Sequence, residues 1–134
     1  MLTRKKYSKK ELIDLKELSI NSGIKASTLA SRIEPYYGIS GHRIHGDNRK
    51  LFQSLYGKCD YAYDSWYRSF NWFVEFQNTV FIISCSRRGA DYYLVLNDSN
   101  FNYVNVPQKY VDISYEFILE ISKLIKENKI DEID

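Results

Sequence analysis

Two cysteines, two prolines, two histidines and one methionine are spread over 134 residues, and each scarcity narrows what the chain can be. Cys59 and Cys85 are too few for a disulfide framework, so free thiols in a reducing compartment are expected. No apolar run approaches the roughly 18 residues that a membrane span requires. The opening Met-Leu-Thr-Arg-Lys-Lys-Tyr-Ser-Lys-Lys has charge but no apolar segment behind it, which predicts no secretory leader and a cytoplasmic protein. Glycine is scarce too, and neither a phosphate-cradling G-x-x-x-x-G-K-[ST] nor a G-x-G-x-x-G occurs. His42 and His45, in Gly-His-Arg-Ile-His-Gly-Asp, lack the paired cysteines of a zinc site, so neither a metal nor a cofactor is expected.

What is plentiful is aromatic and charged. Aromatics make up 16% of the chain, twelve of them tyrosines. With the many Ile, Lys and Asn, this composition suggests an AT-rich coding source, such as a low-GC bacterium or its phage. The net charge of +2 conceals a gradient. Residues 1–50 hold eleven basic and five acidic side chains, residues 51–110 five of each, and residues 111–134 three basic and seven acidic. A basic front suits a polyanion, although mutual attraction of the two ends explains the gradient equally well.

The local pattern predicts an α+β fold. Ser8-Lys-Lys-Glu11 reads as a capping box, followed by Leu12, Leu15 and Leu18 at helical spacing. Gly23 suits a left-handed helix stop, and a second helix is expected over Ala26–Ile33, with Leu29 and Ile33 stacked and Pro35 closing it. A short helix around Leu51, Phe52 and Leu55 would end at Gly57. Tyr63, Trp66, Tyr67 and Phe70 fall at i, i+3, i+4, i+7 and predict an amphipathic helix, in which aromatics form a core more readily than a base-stacking surface. The runs Trp-Phe-Val-Glu-Phe, Val-Phe-Ile-Ile-Ser-Cys, Tyr-Tyr-Leu-Val-Leu and Phe-Asn-Tyr-Val-Asn-Val predict a three- to four-stranded antiparallel meander. From about Ile113 to Asn128 a C-terminal helix should cover that sheet with Ile113, Phe117, Ile121, Leu124 and Ile125.

Leu15 to Glu34, "LKELSINSGIKASTLASRIE", resembles the helix-turn-helix superfamily of bacterial and phage DNA-binding proteins. Leu18-Ser19, Gly23-Ile24 and Ser27-Thr28 stand at the first helix, the turn and the second helix. The resemblance implies a helix-turn-helix segment over residues 1–46, and the pattern beyond it an α+β domain over residues 47–134, either separate from that segment or joined with it in a single compact domain. Lys25, Ser27, Thr28, Ser31 and Arg32 would face a groove of double-stranded DNA, and Lys5, Lys6, Lys9 and Lys10 its phosphates. Arg87 and Arg88, in Ser-Arg-Arg-Gly-Ala-Asp, suit phosphate capture at a hairpin tip. The expectation is a non-enzymatic DNA-binding protein, a regulator from a phage or mobile element, with the β-rich half used for homodimerisation or a protein partner. An alternative is a protein-binding inhibitor of a host nuclease or defence complex, of the anti-CRISPR kind. Its acidic face would be Asp112, Glu116 and Glu120, which recur every four residues. A metal-dependent nuclease using His45, Asp47 and Lys50 is the third reading.

Overall fold

The computed structural model describes residues 2–34, 49–64, 68–86, 89–96 and 100–129. Among them four helices accompany one antiparallel sheet, in the order α1 (Lys9–Ser22), β1 (Ile24–Lys25), α2 (Ala26–Ala30), α3 (Arg49–Tyr56), β2 (Tyr61–Asp64), β3 (Arg68–Phe76), β4 (Thr79–Ser86), β5 (Gly89–Val95) and α4 (Gln108–Lys129). The five strands lie side by side as β1-β5-β4-β3-β2. The fold is α+β, as the pattern predicted, with the C-terminal helix packed on the sheet.

Strands β3 and β4 are buried on both faces, and this organises everything around them. On one face Trp72, Val74, Phe76, Phe81, Ile83, Cys85, Tyr92 and Leu94 meet Leu29 of α2, Phe52 of α3 and Phe117, Ile118, Ile121 and Ile125 of α4. Phe117 stacks flat on Phe81, with ring centroids 4.0 Å apart, and meets Phe76 and Tyr92 edge-on. On the other face Phe73, Ile82 and Val95 receive Leu12, Leu15 and Leu18 of α1, the leucine stripe visible in the sequence. Helix α1 starts where expected. Ser8 Oγ accepts the Glu11 N–H at 3.2 Å, and Glu11 Oε1 accepts the Ser8 N–H at 3.0 Å.

The chain's start is fastened to the sheet. Thr3 exchanges two backbone hydrogen bonds with Glu75. The Arg4 guanidinium pairs with Asp60 and donates to the Phe73 carbonyl at 2.8 Å, while Asp60 Oδ2 accepts the Phe73 N–H at 2.7 Å. At the other end of the sheet, Tyr103 Oη accepts the Lys25 N–H at 2.7 Å, blunting the edge strand β1.

Several elements differ from expectation. The aromatic stretch around Tyr63 is not helical. Tyr61–Asp64 is strand β2, Arg68 already belongs to β3, and Trp66 and Tyr67 lie outside the described residues. "FNYVNV" is not a strand. Asn102 Oδ1 accepts the N–H groups of Val104 and Asn105, and Asn105 Oδ1 accepts that of Asn102. These side chains offer the backbone local partners in place of a ladder. The second helix ends at Ala30, and Ile33 is exposed rather than stacked on Leu29. Gly23 is extended, with φ −66°, not left-handed.

The helix-turn-helix arrangement does not form. That motif packs its two helices against each other, whereas α1 and α2 lie against opposite faces of the sheet with β1 between them.

Two expectations follow from the packing. Replacing the fully buried Phe117 with Ala should cost about 3–5 kcal/mol and lower Tm by roughly 10–20 °C, as read by calorimetry. The second concerns Tyr7, whose buried hydroxyl has no hydrogen-bond partner among the described residues. Burial first, then the nearby Glu75 and Asp60 charges, pushes its phenol up to about 12. The unfolded phenol ionises near pH 10 and the folded one about two pH units higher, so this contribution is complete below pH 10. It is lost as pH rises towards 12. Tyr7→Phe should leave stability at pH 7 unchanged or slightly higher and make the alkaline loss shallower, measured by urea denaturation across that window.

Candidate functional site

Helix α1 covers only part of its sheet face. Beyond Leu18 the helix ends, and the sheet continues as an open groove of about 420 Å³, within the ~300–1,000 Å³ span usual for small-ligand sites. Strands β2 to β5 contribute side chains at i, i+2: Tyr61 and Tyr63, Ser69 and Asn71, then Ile82, Ser84 and Ser86, and Asp91 and Tyr93. Ser19, Ile20 and Gly23 of the helix end form the opposite wall. The change from apolar to polar along one face decides where the helix stops being useful. Phe73, Ile82 and Val95 are buried against the α1 leucines, whereas Ser84 and Asp91 further along are only half-buried.

The walls are tied together. Ser19 Oγ and Tyr61 Oη are hydrogen-bonded at 3.2 Å, and Ser19 Oγ also donates to the Lys16 carbonyl at 2.7 Å. Burial raises the Tyr61 phenol above its ordinary value, partly offset by the Ser19 contact. Lys16 Nζ sits 5.4 Å from the centre of the Tyr61 ring. Lys25 Nζ lies 3.3 Å from Asp91 Oδ1, so two cations flank the groove, one on each side. Tyr63 is 43% exposed.

The residues expected to contact DNA are scattered. Lys25 reaches the groove through Asp91. Ser27 is half-buried, and Thr28, Ser31 and Arg32 are exposed on or just after α2, on the other side of the sheet edge. Lys5, Lys6, Lys9 and Lys10 are exposed at the start of the chain. Lys9 and Lys10 stand roughly 15 Å along α1 from Ser19. Arg87 and Arg88 lie outside the described residues, as do His42, His45 and Asp47. Of the acidic run on α4, Asp112 accepts from Gln108 at 3.2 Å and Glu116 from Gln77 at 2.7 Å, while Glu120 is half-buried. Exposed Lys123 and Lys126 follow on the same helix.

Asn71, Ser84 and Asp91 went unnoticed in the sequence. Their signal was the polar residue at every second position of otherwise apolar strands, at Ser84 and Ser86 above all. The chain matches no known family, no curated protein and no solved structure. No helix of the described residues is long and apolar enough to cross a membrane.

Gly23 shapes the end of the groove by close approach. A Cβ there would stand 2.6 Å from the Ser19 carbonyl oxygen and 3.8 Å from Tyr93 Cβ. Gly23→Ala should therefore destabilise by about 1–3 kcal/mol and shift the Ser19–Tyr61 wall. Denaturation and the chemical shifts of Ser19 and Tyr61 check this, and a fully native spectrum with parental stability would contradict it.

Proposed function

We propose that the protein binds single-stranded nucleic acid in this groove, with bases on the tyrosines and phosphates near the flanking lysines. The observation that carries the reading is the pair Tyr61 and Tyr63, which share one sheet face, with Lys16 over the Tyr61 ring and Lys25 across the groove at the opposite sheet edge. Aromatic side chains on a sheet or in a basic groove stack on unpaired bases whatever their identity, and nearby cations track the backbone. Tyr61, held by Ser19, is the fixed platform, and Tyr63 is the accessible one. The basic excess of residues 1–50 adds long-range attraction for a polyanion. A single strand fits this surface better than a duplex, because an exposed tyrosine is a stacking partner only for bases that are not paired and stacked on each other.

The test is anisotropy titration of labelled single strands and duplexes of equal length. Tyr63→Ala should weaken single-strand binding by roughly 5- to 100-fold, since stacking contributes about 1–3 kcal/mol per base. Affinity should fall with salt, less steeply in Lys16→Ala. Unchanged affinity in Tyr63→Ala would overturn the reading. Tighter duplex binding that is lost on replacing Thr28 and Arg32 with Ala would instead move the interface to α2.

A further inference from the structure

Asn71 is 3% exposed and lines the groove, and its carboxamide is held in one orientation. Nδ2 donates to the Tyr61 carbonyl at 3.3 Å and to Ser69 Oγ at 3.2 Å, with the Ser69 carbonyl at 3.5 Å. Carbonyl oxygens only accept, so the nitrogen is the end that faces them. The oxygen is left over, and no described residue donates to it. The residue as a whole is nearly buried, but this oxygen is not among the buried atoms left without a partner. It meets the groove, where a ligand's donor can replace water, and a ring that covers it without a donor costs a hydrogen bond. Held through Nδ2 by the Tyr61 carbonyl of β2 and by Ser69 of its own strand, the carboxamide keeps its oxygen in one direction.

We propose that Asn71 is the residue of the groove that selects among bases, its Oδ1 accepting an amino N–H of a nucleobase seated beside Tyr63. This rests on the single-strand reading above. An exocyclic amino group, as on cytosine or adenine, supplies the missing donor. The same ring without that group leaves the oxygen unpaired under a stacked base. Discrimination of this kind is strong because the binding site is penalised for the wrong ligand.

The experiment compares oligo(dC) with a strand of the same length built on 2-pyrimidinone, which is cytosine without its amino group. Both stack on tyrosine and carry the same backbone, so only the donor differs. Oligo(dC) should bind the unaltered protein roughly 5- to 100-fold more tightly. In Asn71→Leu the two strands should bind alike. If that variant fails to fold, as judged by circular dichroism, the comparison on the unaltered protein still decides. Equal affinity of the two strands, with both weakened by Tyr63→Ala, would overturn the role of Asn71 and leave the single-strand reading standing. If neither strand binds, both fall.

Discussion

Two strands buried on both faces set the terms for the rest of this structure. Trp72, Val74 and Phe76 alternate with Phe73 along β3, and Phe81 and Ile83 with Ile82 along β4. Neither face can be left to water, since each buried large side chain contributes about 1.5–3 kcal/mol. The three leucines of α1 satisfy one face, and α2, α3 and α4 the other. That demand separates the two helices whose sequence resembles a helix-turn-helix. Leu29 and Ala30 are taken by the core beneath α4.

The same geometry depends on polar fastenings in the right places. Asp60 holds Arg4 and the Phe73 N–H together, so the first residues run beside β3 and deliver Tyr7 and α1 to their face. Trp72 donates its indole N–H to the Gly57 carbonyl at 2.9 Å, and Gly57 takes the positive φ of 79° that ends α3. That bond ties α3 to the sheet on the opposite face. With both layers anchored, α1 ends one turn past Leu18, and the polar end of the sheet stays open.

The groove is thus the part of the sheet that the hydrophobic effect has no reason to cover. Its tyrosines, its serines and the carboxamide of Asn71 occupy the same face as the apolar positions under α1, one register step further along. The proposed ligand follows from this contrast. Flat rings, an acceptor with no donor among the described residues and cations at the margins together suit an unpaired base on a charged backbone. On α4, Asp112 and Glu116 accept from Gln108 and Gln77 yet stay exposed and charged, and lysines follow them on the same helix.

The sequence by itself determined the elements that local chemistry specifies. The Ser8 capping box, the leucine stripe of α1, the strands around Phe73, Ile82 and Tyr92, and the apolar face from Phe117 to Ile125 were all legible. Each repeats a short-range pattern that only one element can bury. Tyr61 to Phe70 was not legible, because its aromatics satisfy a helical period and a strand period at once. Pairing with β3, through Tyr61 with Asn71 and Tyr63 with Ser69, decided between them. The Asn102–Asn105 hydrogen bonds likewise turned an apparent strand into a loop. Tertiary structure alone decided that α1 and α2 part, because only the finished sheet shows which face each must cover. It also decided the groove, since Tyr61, Asn71, Ser84 and Asp91 are distant in the chain and meet only through strand register.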